Sequence, residues 1–124
     1  MSTSSPTGEV PRYRQEARLN VCKNVGATYL FCPDDCRLGL QREFDASVLP
    51  LHGLRHPSEH GETGWYVWVG ELSDAPDFFQ PVPAEQLVAQ APLVDPYLGL
   101  GPGWRFLLAP GHVDVWYDES LLAI

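Results

Sequence analysis

Cysteine, positive charge and long apolar runs are all scarce in this chain of 124 residues. Its three cysteines are too few, and odd in number, for a disulfide scaffold, which favours free thiols in a reducing cytoplasm. No apolar run approaches the roughly 20 residues that span a bilayer. The first residues have neither the basic region nor the hydrophobic segment of a secretory signal. We therefore predict a cytoplasmic protein that binds no membrane.

The shortage of basic residues also bears on the partners of the protein. Eight Lys and Arg stand against sixteen Asp and Glu, so the net charge is −8. This charge would repel nucleic acid and anionic membrane surfaces, and it would speed the encounter with a basic partner. We expect a protein partner with a basic surface and no binding of nucleic acid.

Length and composition indicate one domain with a short tail. A chain of this length can bury about two thirds of its unfolded surface, so it needs neither a metal nor disulfides to fold. The N-terminal residues are mainly Ser, Thr, Pro and Gly and have little to bury. We predict a disordered tail over residues 1–10 and a single α+β domain over residues 11–124.

The strongest strand signal is GWYVWVGE at residues 64–71. Its β-branched and aromatic residues suit a pleated strand and fit a helix poorly. Side chains alternate along a strand, so Trp65, Val67 and Val69 would point to one face, and Tyr66 and Trp68 to the other. Both faces are apolar, which indicates either a central strand covered on both sides or an aromatic face left for a partner.

The remaining elements complete an α+β fold. The pattern predicts a helix over residues 82–90, with Pro83 in its first turn, and a second short helix could form over residues 11–20. Residues 45–63 are rich in Pro, Gly, Ser and His and are predicted as a long irregular connection. Further strands are predicted at residues 27–32, 38–44, 104–109 and 112–117, the last two joined by a Pro-Gly turn. The expected architecture is a mixed or antiparallel sheet with one main helix and long irregular connections.

Two cysteines and two histidines have spacings near those of zinc sites. Cys32-x3-Cys36 is followed by His52-x3-His56, and four such ligands can close a tetrahedral site. A small metal-dependent enzyme or a zinc-binding domain built on these residues is therefore the alternative function. Cys32 would lie at a strand end, where a plain buried thiol is common. We favour free thiols and solvated loop histidines, and we predict neither a metal nor another cofactor.

Motifs of catalysis are missing from the sequence. The GLGPG stretch at residues 99–103 has neither the lysine of a P-loop nor the following helix of a dinucleotide-binding loop. No nucleophile elbow or orienting residue accompanies Cys36 and the histidines. These observations predict that the protein is not an enzyme.

Aromatic residues beside acidic ones indicate a binding surface instead. Buried aromatic area with complementary charge around it would anchor a basic partner. The competing interpretation is that the tryptophans are core residues and the acids merely surround them. We place the candidate surface on six residues: Glu71, Asp74, Asp77, Asp114, Trp116 and Asp118.

The second half of the chain resembles a known family. GWYVWVGE at residues 64–71 is followed by Asp77-Phe78-Phe79, a helix, PLVDPYL at residues 92–98 and GWRF at residues 103–106. This order, over residues 64–118, is similar to the immunity proteins of bacterial polymorphic toxin systems, specifically their thirty-third immunity family. The resemblance implies a non-enzymatic protein that binds a cognate toxin in its own cytoplasm and blocks the toxin's active site.

Overall fold

The computed structural model describes residues 10–58 and 62–123 as a six-stranded sheet with its two α-helices and the longer 3₁₀ helix packed on one of its faces. This arrangement confirms the predicted α+β class. The predicted disordered tail falls outside the described residues at positions 1–9. In chain order the elements are α1 (Arg12–Val25), β1 (Arg37–Gln41), β2 (Leu51–Arg55), β3 (Glu62–Val69), β4 (Phe79–Pro83), α2 (Ala84–Gln90), a 3₁₀ helix (Pro92–Tyr97), β5 (Trp104–Ala109), β6 (His112–Tyr117) and a last 3₁₀ helix (Glu119–Leu122).

The strands lie in the order β4-β1-β3-β2-β5-β6. β1 and β3 run parallel, and the other neighbouring strands run antiparallel, so the sheet is mixed. β3 therefore has neighbours on both sides, as its aromatic and β-branched sequence predicts.

The hydrophobic core lies between the sheet and the helices on one face. β3 contributes Trp65, Val67 and Val69, which are buried as their alternation predicts. α2 contributes Leu87, and the longer 3₁₀ helix contributes Val94, both fully buried. Each of these side chains supplies about 1.5–3 kcal/mol of hydrophobic stabilisation.

α1 is longer than the sequence pattern indicates. It passes residue 20, continues to Val25 and ends at Gly26, whose positive φ of 74° closes the helix. Its weak apolar stripe does not explain this length. Instead, Arg18 is fully buried and donates to Asp95 at 2.7 Å, which fixes the helix against the 3₁₀ helix Pro92–Tyr97.

The strand predicted at residues 27–32 is wrong. Only an isolated bridge between Tyr29 and Leu100 forms there. The carbonyls of residues 30–32 accept hydrogen bonds from arginine side chains, Arg55 and Arg18, rather than from a neighbouring strand. Side chains distant in sequence have thus replaced the sheet as the partner of this backbone.

The irregular connection predicted at residues 45–63 is wrong over residues 51–55, which form β2, and at its end, where β3 begins at Glu62. β2 pairs with both β3 and β5 and lies inside the sheet. Its sequence, LHGLR, has low β propensity, and Gly53 is required because a Cβ there would come within 2.2 Å of the Phe106 ring. Pairing on two sides overrides the local preference.

Other predictions agree closely with the structure. The hairpin of β5 and β6 has the predicted bounds, and Gly111 has a positive φ of 69° in its turn. α2 begins one residue after Pro83, which itself ends β4. β1 stops at Gln41, short of the predicted residue 44, because the chain turns there and Phe44 N–H donates to the Gln41 carbonyl at 3.0 Å.

Candidate functional site

The face of the sheet opposite the helices is the candidate site. Within the described part of the chain, α1, α2 and the 3₁₀ helix Pro92–Tyr97 pack on the core face. The short 3₁₀ helix Glu119–Leu122 instead reaches the other face, where the Leu121 carbonyl lies 2.9 Å from His56 Nδ1. We call this other surface the open face. Two rows of register partners cross it: Pro81, Gly39, Tyr66, Leu54, Arg105 and Trp116 in the first row, and Trp68, His52, Leu107 and Asp114 in the second.

Aromatic rings occupy the middle of the open face. His52 stacks on Trp68 with ring centroids 5.0 Å apart, and Phe79 meets Tyr66 edge-on at 5.1 Å. Trp68 is only 3% exposed because these neighbours cover it, whereas Tyr66 remains 37% exposed. Burial lowers the pKa of His52, and the positive charge of Arg105 lowers it further. The His52 ring is therefore neutral at pH 7 and adds to the apolar surface.

A shallow cavity of about 400 Å³ lies over these rings. The loop after β3 carries Leu72 to its rim, where the side chain is 55% exposed. Leu72 and the half-exposed Tyr66 ring together form a contiguous apolar patch, and such patches are typical of contact surfaces. The cavity is lined by Leu54, His56, Tyr66, Trp68, Leu72 and Phe79.

Three of the predicted acidic residues lie in the same loop as Leu72. Glu71 precedes Leu72 directly, and Asp74 and Asp77 follow in the same loop, all exposed. The loop between β3 and β4 therefore combines an exposed apolar side chain with three negative charges.

The other three predicted residues lie at the far edge of the sheet. Asp114 and Trp116 project from β6 onto the open face, with the Arg105 guanidinium 5.3 Å from the Trp116 ring centre. Asp114 lies 2.9 Å from His112 on the protein surface. β3 and β6 are three strand spacings apart, about 14 Å. The structure thus divides the six predicted residues into two groups with the aromatic rings between them.

Asp118 has structural partners and is only partly exposed. Its carboxylate accepts from Ser120 N–H at 3.1 Å, capping the last 3₁₀ helix, and from Arg105 at 3.1 Å. These hydrogen bonds, first that of Ser120 and then that of Arg105, lower the pKa of Asp118. The residue positions Arg105 beneath Trp116 and so helps to shape this end of the open face.

The structure does not bring the four zinc candidates together. Cys32 is fully buried in the core on the helical side, whereas His52 stacks on Trp68 on the open face. Burial raises the pKa of the Cys32 thiol to about 11, which disfavours the thiolate that would bind a metal. Among the described residues no group of three or more His, Cys, Asp or Glu could hold a metal ion.

Comparison with known families gives the identity of the fold. The family model of the Imm33-like domain matches residues 17–118, which is more than half of the chain. The chain belongs to this family of immunity proteins. The comparisons with curated proteins and with solved structures found no match.

The Imm33-like match is longer than the resemblance seen in the sequence. It includes residues 17–63 in addition to residues 64–118. The added part holds β1, β2 and α1 from residue 17 onward. The cysteines and the histidines of β2 are therefore part of the same domain. None of the helices described in this Imm33-like protein is long and apolar enough to cross a membrane.

Several residues of the open face escaped the sequence analysis. His52 and Leu54 were missed because β2 has no recognisable strand pattern, and Leu72 because a lone leucine in a polar loop is common. Tyr66 and Trp68 carried a readable signal, namely apolar side chains on both faces of one strand.

Proposed function

We propose that this Imm33-like protein is a non-enzymatic, cytoplasmic immunity protein that binds a cognate toxin of a polymorphic toxin system and covers the toxin's active site. The observation that carries the proposal is the open face, with its aromatic centre and acidic borders. Most of the contact would be made by Tyr66 and Leu72 on one side and by Trp116 on the other.

The size and composition of the open face support protein binding. A stable protein–protein contact buries about 800 Å² on each partner and depends on a few aromatic anchors. Two aromatic side chains of this face, Tyr66 and Trp116, are each 37% exposed, so they can lose further area to water when a partner binds. Phe79 and His52 hold the Tyr66 and Trp68 rings in place, which lowers the entropy lost on association.

The negative charge of the chain supports the proposal that its partner is basic. The chain carries a net charge of −8, with Glu71, Asp74 and Asp77 exposed in the loop that carries Leu72 and Asp114 exposed on the open face of β6. Long-range attraction of this kind raises the association rate of a basic toxin, which matters for an inhibitor that must act before its toxin does.

The test begins with the protein encoded beside the gene for this chain. A catalytically inactive form of its toxin domain would be purified and titrated against the full chain, and the inhibition of the active form would be measured in parallel. We expect a stoichiometric complex and complete inhibition. A toxin domain that binds without losing activity would contradict occlusion, and the absence of any complex would contradict the proposed function.

A pair of matched leucines then tests the open face. Leu72 is 55% exposed on the open face, and Leu93 is 53% exposed in the 3₁₀ helix on the opposite side of the domain. We expect Leu72→Ser to weaken toxin binding roughly tenfold, as the loss of an apolar anchor predicts, and Leu93→Ser to leave it unchanged. Equal effects of the two variants would exclude the open face as the binding surface.

A further inference from the structure

The two edges of the sheet are built differently. β4 forms one edge and β6 the other. An edge strand exposes unpaired backbone groups that can bind another strand, and folded proteins usually block this with proline, charge or a covering element. The hydrogen-bond register shows which backbone groups each edge exposes.

Proline blocks the outer edge of β4. Arg42 N–H donates to Phe78 O at 2.7 Å, and Ala84 N–H donates to Cys36 O at 2.9 Å. Bonded and non-bonded pairs alternate in an antiparallel ladder, so residues 79, 81 and 83 direct their backbone groups away from β1. Positions 81 and 83 are prolines, which have no N–H. This edge therefore presents one outward donor, that of Phe79.

β6 has no such protection. Asp118 N–H donates to Gly103 O at 2.7 Å, in register with the pairs Trp116–Arg105 and Asp114–Leu107. By the same alternation, residues 113, 115 and 117 direct N–H and C=O outward. None of these is proline, and in the part of the chain that the structure describes no strand pairs with this edge. Five of the six residues of β6 are exposed.

We propose that β6 is the docking edge for the partner, and that an extended segment of the toxin joins the sheet as a seventh strand. Backbone hydrogen bonds to residues 113, 115 and 117 would provide the register, as in other cases of strand addition. β6 also borders the open face, so the added strand would lie beside Trp116 and extend the same binding surface. The toxin as partner rests on the proposed function; the availability of the edge does not.

The side chains of β6 define the chemistry of the added strand. On the open face it would lie next to His112, Asp114 and Trp116, where lysine or arginine would find a carboxylate and an aromatic ring. On the helical side it would lie next to Val113, which is 54% exposed, and Tyr117, which is 48% exposed. The segment that fits is one in which basic and apolar residues alternate.

A second copy of the chain fits the same edge less well. Each copy carries a net charge of −8, and β6 contains an acid but no lysine or arginine. Pairing two such edges would bring like charges together, which is a recognised way of preventing self-association. The charge therefore selects a basic strand.

Amide hydrogen exchange on the isotope-labelled full chain gives the direct test. The probe is a capped synthetic peptide in which lysine and valine alternate, added at millimolar concentration. We expect slower exchange at residues 113, 115 and 117, while residues 114 and 116, already bonded to β5, change little. A peptide with backbone N-methyl groups on one edge and a peptide with glutamate in place of lysine should have no effect.

A matched pair of variants isolates the backbone contribution. Val113→Pro removes an outward N–H that has no internal partner in the β5 ladder, just as Pro81 and Pro83 do in β4, and Val113→Thr keeps it. We expect the proline variant to weaken peptide binding roughly tenfold, and the threonine variant to bind normally. If Val113→Pro fails to fold, the exchange measurement on the unaltered chain still shows whether a strand adds to β6.

Three outcomes would overturn the inference. Exchange at residues 113, 115 and 117 could be unaffected by the peptide, Val113→Pro could bind as well as Val113→Thr, or these amides could be protected by concentration-dependent dimers without any peptide. A toxin domain that binds the chain while leaving these three amides unprotected would contradict strand addition and leave the proposed immunity function standing. A toxin domain that does not bind, with the peptide still protecting the edge, would contradict the proposed immunity function and leave β6 standing as an edge that accepts an added strand.

Discussion

The ring of Tyr66 lies directly over Gly39 of the neighbouring strand, and a Cβ at position 39 would come within 2.6 Å of that ring. β1 therefore needs a glycine at this point for a reason that its own sequence does not reveal. The contact fixes the orientation of Tyr66 at the centre of the open face. It also gives a way of disturbing this face without changing an aromatic residue.

Gly39→Ala should displace the Tyr66 ring and destabilise the protein by about 1–3 kcal/mol, the usual cost of overpacking. Denaturant unfolding measures this cost. In a Tyr66→Ala background the same substitution should cost much less, because the obstructing ring is gone. An equal cost in both backgrounds would show that the ring does not require the glycine.

Arg55→Met should destabilise the protein by about 3–5 kcal/mol. The guanidinium is 1% exposed and donates to the carbonyls of residues 30, 31, 63, 98 and 100, so its removal leaves buried acceptors without their donor. Arg37→Met is the control, since Arg37 is exposed in its pair with Glu62 and should change stability by about 0.5 kcal/mol or less. Similar unfolding free energies for both variants would contradict a structural role for Arg55.

Asp95→Asn should make the protein less stable at pH 7 and less sensitive to acid. Burial by itself raises the pKa of Asp95, but hydrogen bonds from Arg14 and Arg18 lower it below its ordinary value. A carboxyl with a depressed folded-state pKa stabilises the protein above its unfolded-state pKa of about 3.9, and this contribution is lost as the pH falls through the folded-state value.

The difference in unfolding free energy between the unaltered chain and Asp95→Asn, measured in urea, should therefore be about 2–4 kcal/mol at pH 7 and should shrink below about pH 4. Asp35→Asn, in an exposed turn, is the control and should show no such change. A difference that stays constant with pH would mean that Asp95 does not act through its charge.

Asp77→Lys and Asp114→Lys should each weaken toxin binding, mainly by slowing association, and the effect should shrink as salt is added. Asp77 lies just before the edge strand β4, and Asp114 lies on the opposite edge strand β6. Glu16→Lys changes the net charge equally but lies on α1 at the helical side, so it should have a smaller effect. Equal effects at all three positions would assign the steering to net charge alone and not to the open face.

The local sequence was sufficient to predict those elements whose own residues favour one secondary structure. The hairpin of β5 and β6 has alternating apolar residues and a turn whose glycine accepts positive φ, so its bounds were predicted correctly. The alternation of apolar residues along β3 predicted which of its side chains face the core. The proline and the good helix formers that follow it predicted α2. In each case neighbouring residues supply the physical cause.

Tertiary structure decided the elements whose partners are distant in the chain. LHGLR at residues 51–55 became a strand because β3 and β5 pair with it on both sides, and no local property of His52 or Gly53 would produce that result. Residues 27–32 did not become a strand because Arg18 and Arg55 bind their carbonyls. Burial of these arginines depends on acceptors far away in sequence, which no local pattern encodes.

The candidate site divides in the same way. The sequence alone determined that the protein is acidic, has an aromatic central strand and lacks a recognisable catalytic motif. Only the tertiary structure decided that Tyr66 and Trp68 lie on the face opposite α1 and α2, that the acids of the β3–β4 loop and of β6 are exposed at two separate places, and that β6 is an edge whose outward backbone groups pair with no described strand. Composition determines the charge and the aromatic content of the chain, and the strand order determines which of those side chains lie on an exposed face or edge.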